Sequence, residues 1–177
     1  MVLYSNFSFE NPTNFEPIIN LDPDPLRSDF DINGLKNRLY QRLKHNDTTL
    51  IVDLLLDQKL VAGIGNKYKS EILFLSKLNP FVPIKDIPPK SLKTLLQQIP
   101  SVLNTGYRNS GATRIVRNTL VKRDNNNNSN TRGWSDKQWV FRRGGRPCWN
   151  CGTQIVTDYR LSGRVTFWCP KCQRQSS

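Results

Sequence analysis

The chain has 177 residues, 37% of them hydrophobic, enough for one compact domain or two small ones around a modest core. Its net charge of +12 is unevenly spread: residues 1–50 hold five Lys and Arg against seven Asp and Glu, leaving 21 against 7 for the remainder. Such a field attracts polyanions, with nucleic acid the first class to consider and an anionic membrane surface or plain solubility as alternatives. Apolar runs such as Leu50 to Leu56 are too short to span a bilayer, and the first residues do not read as a basic-then-apolar leader, so the expectation is a soluble, intracellular protein.

Residues 1–30 read as an extended lead-in, rich in Pro, Asn and Asp and without sustained periodicity. From Asp31 to His45, Leu35, Leu39, Tyr40 and Leu43 recur at helical spacing among basic residues, which predicts an amphipathic helix. His45 is the sole histidine and reads as a surface residue near the helix end. A second helix over Asp47 to Gln58 carries the apolar block Leu50 to Leu56 and should be the most buried element.

The stretch DQKLVAGIGNKYKSE, Asp57 to Glu71, then sets Gly63 and Gly65 around one apolar residue and follows them with Asn66, a helix-initiating residue. Glycines allow close approach, Asn66 can cap the next helix, and the amides at that helix start attract an anion such as phosphate. A tight turn with no ligand is the alternative reading. The helix is expected to run from Asn66 to about Leu78, with Tyr68, Ile72, Leu73 and Phe74 or Leu75 inward, until Asn79-Pro80 stops it. Lys67, Lys69 and Lys77 fall on its other faces as solvated charges, and Glu71 supports the helix or orients the turn. Pro88 and Pro89 open a further helix through Leu92, Leu95, Leu96 and Ile99, which Pro100 should kink or divide before Val102 and Leu103. The polar run Arg123 to Gly133, with four consecutive asparagines, reads as a flexible loop and the best domain boundary.

Cys148, Cys151, Cys169 and Cys172 form C-x2-C, seventeen residues, C-x2-C. Two such knuckles complete one tetrahedral, structural Zn2+ site with no open position; two disulfides or an iron–sulfur centre are the alternatives. Between the knuckles, TQIVTDY and RVTFWC alternate apolar with polar residues and predict a hairpin too small to fold without the metal. Arg160 and Arg164 lie near its tip, where a stapled loop would hold a guanidinium fork against a phosphate.

Two motifs carry a family resemblance. GIGN between LLLDQKLVA and KYKSEILFLSKLNPF resembles the helix-two-turn-helix of the formamidopyrimidine-DNA glycosylase and endonuclease VIII family, and VFRRGGRPCWNCGTQIV with GRVTFWCPKCQR resembles that family's C-terminal zinc finger. The resemblance implies a mainly α fold: a helix-two-turn-helix bundle over residues 31–122, a loop over 123–138 that in the family contacts the lesion, and a four-cysteine zinc finger over 139–177. It also implies that Asn66, the turn amides of Gly63 and Gly65, and Arg164 contact double-stranded DNA that is damaged or abasic; Lys67 beside the turn and Arg160 near the hairpin tip are expected to join them on their position and charge.

INLDPDPLRSDFD looks like the family's joining segment, so the resemblance further implies that the N-terminal catalytic domain is absent. Family enzymes open with a proline amine next to a glutamate; this chain opens Met1-Val2-Leu3-Tyr4, and no catalytic residue is assigned. The implied function is a damaged-DNA-binding half of a base-excision-repair glycosylase. One alternative is an active glycosylase and abasic-site lyase, using another amine such as Lys59 or Lys67 or an N-terminal half supplied in trans; the other is an RNA-binding or protein-docking module.

Overall fold

The computed structural model describes residues 24–27, 29–45, 48–115, 135–159 and 164–174. Among them lie four α-helices, a short 3-10 turn and one two-stranded hairpin. The Asn-rich run, Arg160 and the hairpin tip fall outside the described residues.

Helix α1, Ile32–Lys44, begins where the Asp31 carboxylate accepts from the Asn33 amide at 2.8 Å, and it buries Leu35 and Leu39 one turn apart. Arg42 and Lys44 in its last turn complement the helix dipole, and His45 caps it in an exposed position.

Helix α2 is a single turn, Ile51–Leu54, rather than the long helix expected over Asp47 to Gln58. Past it, the amides of Leu56, Asp57 and Leu60 bond three residues back, and Asp57 accepts from the Lys59 amide at 2.9 Å. An aspartate that offers its own acceptor to the backbone competes with helix continuation. The expectation of burial holds: Ile51, Val52, Leu54 and Leu55 are all in the core.

Helix α3, Asn66–Leu75, ends three residues earlier than expected. Lys77 adopts φ 55°, the Leu78 amide bonds Leu73 O and the Lys77 amide bonds Phe74 O, both at 3.0 Å. This pair of bonds satisfies the last carbonyls before Pro80 is reached.

Helix α4, Pro89–Arg108, runs unbroken through Pro100. Leu92, Leu95, Leu96, Ile99, Val102 and Leu103 form one buried face on both sides of the proline. At about 1.5–3 kcal/mol for each buried side chain, that face outweighs the roughly 3 kcal/mol that an interior proline costs. Gly106 lets α4 meet α3, since a Cβ there would sit 2.5 Å from the Tyr68 hydroxyl oxygen.

Strands β1, Val156–Asp158, and β2, Thr166–Trp168, pair antiparallel with Val156 opposite Trp168 and Asp158 opposite Thr166, as the alternation predicts. Two cores result. The larger joins α1, α2, α3 and α4; the smaller places Phe74 of α3 with Val140, Ile155, Cys148 and Cys169 of the finger. The architecture is therefore mainly α with a small cysteine-bearing hairpin finger docked on α3. Among the described residues no helix is long and apolar enough to cross a membrane.

Candidate nucleic-acid interface and metal centre

The turn between α2 and α3 is held from behind by one side chain. Gln58 accepts from the Gly63 amide at 3.1 Å and donates to Ile64 O at 3.0 Å. Gly63 has φ +81°, a conformation that favours glycine, whereas Gly65 is extended at φ −105°, ψ −174°. A Cβ at either position would meet nothing within 4 Å. Gly65, not Asn66, occupies the N-cap, and no side chain caps α3, so the open amides at its start are available to a ligand.

Asn66 is instead the first residue of α3, and its carboxamide oxygen accepts from Lys69 Nζ at 3.1 Å. The Asn66 NH2 group has no partner among the described residues. Lys67 donates to Gly111 O at 3.1 Å and lies 4.2 Å above the Tyr68 ring.

Lys69 departs most from expectation. Rather than a solvated charge it is only 1% exposed, because the finger lies over it. Besides Asn66, its ammonium donates to Thr166 Oγ1 at 3.1 Å and reaches Val165 O at 3.5 Å. Burial first, and then the charge of Arg164, lower its pKa to about 8 against the opposing pull of Asp53. Arg164 is exposed and directly precedes the Lys69-bound residues Val165 and Thr166. The turn and the arginine-bearing arm of the finger therefore meet at Lys69. Arg160, expected at the same tip, lies outside the described residues, and Lys59 is an exposed residue of the Asp57 turn.

Glu71 does more than support its helix. Fully buried, its carboxylate accepts from the amides of Trp139, Val140 and Phe141 at 2.8–2.9 Å and from the Thr113 hydroxyl. Three consecutive amides from a segment about seventy residues away are thus gathered on one side chain. Gln173 makes a second tie, accepting from the Cys169 amide and donating to Leu78 O, both at 2.8 Å. A third buried group is Arg143, which donates to Trp139 O and Pro147 O at 2.7 Å and stacks 4.0 Å from the Trp149 ring. The sequence does not reveal these finger contacts; no local spacing announces them, because each depends on a partner brought in by the fold.

The four cysteine sulfurs all lie within 4.8 Å of one another, Cys148 and Cys172 at 3.9 Å and Cys151 and Cys169 at 3.4 Å. A disulfide needs about 2.05 Å, and all four are free thiols. A tetrahedral metal–thiolate site with bonds of about 2.3 Å sets its sulfurs about 3.8 Å apart, so the donor set fits one metal ion. Hydrogen bonds from Thr153 lower the Cys151 thiol to about 6, while burial pushes Cys169 up to about 12. A cation in the cluster is what favours four thiolates at neutral pH.

Comparison with known proteins meets this geometry from outside. Residues 21–117 match the formamidopyrimidine-DNA glycosylase H2TH domain. Formamidopyrimidine-DNA glycosylase of Parasynechococcus marenigrum is 37% identical over 153 residues, covering 86% of this chain and 50% of that protein. The protein of the same name from Gloeobacter violaceus is 36% identical over 154 residues, covering 87% and 50%.

Among solved structures, the MutM (Fpg) protein from Thermus thermophilus superposes with a TM-score of 0.69 at 26% identity, covering 94% of this chain and 59% of that one. A Lactococcus lactis Fpg in complex with DNA containing an abasic site gives 0.66 at 28%, covering 88% and 52%. The chain thus spans about half the length of the curated relatives it matches. With more than half of its residues inside the matched domain, and the turn, the docked finger and the cysteine cluster all in place, the chain belongs to the formamidopyrimidine-DNA glycosylase family through its H2TH domain.

Proposed function

We propose that this chain supplies the grip of a base-excision-repair glycosylase on duplex DNA, holding phosphates beside a lesion or abasic site. The Gly65 amide and the uncapped amides at the start of α3, the Asn66 NH2 group, Lys67 and Arg164 form the phosphate-facing set, whereas the Gly63 amide is already taken by Gln58; Arg160, outside the described residues, is a further candidate on its charge alone. The four cysteines hold one structural zinc. Bound zinc would supply charge and a cross-link rather than an open coordination position, so its work is to fix the finger.

One observation carries this reading. Gly65 has an ordinary extended backbone and nothing crowds a Cβ there, so the fold leaves its uncapped amide open to a partner that approaches the backbone closely. The complexes of relatives with abasic DNA support the choice of partner.

Anisotropy titration of the zinc-loaded chain against a duplex carrying a tetrahydrofuran abasic analogue tests it. Asn66→Ala and Arg164→Ala should each weaken binding by about tenfold, roughly the 1.4 kcal/mol of one charge-assisted bond. Unchanged affinity in both variants would overturn the proposal. A metal-release assay should find one zinc per chain, and a cysteine cluster that takes up none would remove the structural-zinc part.

A further inference from the structure

Lys69 stands apart from the surface cations of this basic chain. It is 1% exposed, it sits in α3 directly behind the phosphate-facing turn, and it has three acceptors on two separate parts of the fold. An ammonium has three donors and no acceptor, so the atom of the Asn66 carboxamide that faces it must be the oxygen. That fixes the amide flip chemically. With Oδ1 held inward at 3.1 Å, the NH2 group is left as the side chain's only hydrogen-bond donor group, and it has no partner among the described residues.

The same ammonium bonds Thr166 at the start of β2 and reaches Val165 O, next in sequence to Arg164. We propose that Lys69 is a positioning residue for the phosphate site: its buried ammonium holds the Asn66 carboxamide in the donor-outward orientation and ties the arm bearing Arg164 to the turn. This rests on the proposed phosphate role of Asn66 and deepens it. Lys69 itself does not meet the DNA, because the finger covers it.

Orientation matters at this position because a phosphate only accepts. A carboxamide free to flip would present its oxygen to the anion part of the time, and those encounters would be repulsive. Holding the flip in advance removes that loss before DNA arrives.

A double-mutant cycle on the zinc-loaded full chain, read by affinity for the same abasic-analogue duplex at about 0.15 M salt, tests the assignment. Lys69→Met should weaken binding by about tenfold in the wild-type background and by about twofold or less in the Asn66→Ala background, the remainder being the loosened tie to the arm bearing Arg164. Equal losses in both backgrounds would overturn the proposal, since Lys69 would then act independently of Asn66. If Asn66→Ala alone leaves binding unchanged, the phosphate role of Asn66 fails instead, and the two failures are told apart within one cycle.

A second comparison avoids the Lys69 variants altogether, should they fold poorly. With an ammonium against residue 66, Asn66→Asp should melt at a higher temperature than Asn66→Ala while binding DNA no better. Asn66→Asp melting at or below Asn66→Ala would show that the ammonium does not hold this side chain, and would sink the proposal.

Discussion

Two glycines separated by one residue invite the same explanation, and the backbone denies it. Gly63 sits at φ +81°, where an L side chain costs about 1–2 kcal/mol, so Gly63→Ala should lower stability by that amount in urea unfolding. Gly65 is extended with open space around it, so Gly65→Ala should leave stability within about 0.5 kcal/mol yet weaken DNA binding by about tenfold. Equal affinity for Gly65→Ala and wild type would leave that glycine without the ligand role proposed for it. The sequence marks both residues as a turn and cannot separate them, because the difference lies in φ. Lys69 has the same history. Its spacing in NKYKSE places it off the apolar stripe, and only the finger, some ninety-six residues away, converts an outer face into an inner one. Burial depresses its pKa to about 8, and the groups facing it are Asp53, which opposes the shift, and Arg164, which adds to it. Unfolded, a lysine stays protonated to about pH 10.4, so between about 8 and 10.4 the unfolded chain binds more protons and stability rises with pH. Below pH 8 the cost of burying the charge is present in full and the contribution is level. Urea unfolding at about pH 7 and about pH 9.5 should therefore show a gain in wild type that is missing in Lys69→Met; the same gain in both would place the titration elsewhere.

At the scale of elements, the finger is attached to α3 by polar bonds as well as by its small core. Glu71 collects the amides of Trp139, Val140 and Phe141, and a buried donor that loses its acceptor costs about 1–3 kcal/mol. Glu71→Ala orphans all three at once, which gives an expected loss of about 3 kcal/mol or more. Urea unfolding checks the size, and zinc retention against a chelator should fall with it, because the same segment leads into Cys148. A loss below about 1 kcal/mol would mean that water replaces the carboxylate without penalty. Much of this level is legible in the sequence. Leu35 and Leu39 mark α1, and the alternation in TQIVTDY and RVTFWC marks the hairpin. The cysteine spacing anticipates the cluster. The differences share a cause: an apolar block such as Leu50 to Leu56 has no period of its own and so does not show how short α2 is, and a lysine at φ 55° leaves no mark in composition, so Pro80 is the first visible stop for α3. Pro100 signals an interruption of α4, where tertiary packing on both sides of it prevails over propensity.

For the whole molecule the governing quantity is charge and where the fold lets it act. Residues 51–177 carry 21 Lys and Arg against seven acidic residues, but the cations are not equivalent. Lys69 and Arg143 are almost fully buried. Arg164 is exposed on a docked finger beside the turn. A count of basic residues therefore overstates the number that displace counterions from a duplex. Each phosphate neutralised contributes about 0.9 to the slope of log affinity against log salt. Arg164→Ala should weaken binding and also flatten that slope by about 0.9, whereas Lys69→Met, acting from behind the turn, should weaken binding with a slope nearly that of the wild type. The two variants thus distinguish a residue that touches the phosphate from one that aims another residue at it. Titrations of both at four salt concentrations from about 0.05 to 0.3 M measure the difference. Should Lys69→Met flatten the slope as much as Arg164→Ala, the ammonium would be acting on DNA through its charge, and the division of labour inferred from its burial would fail.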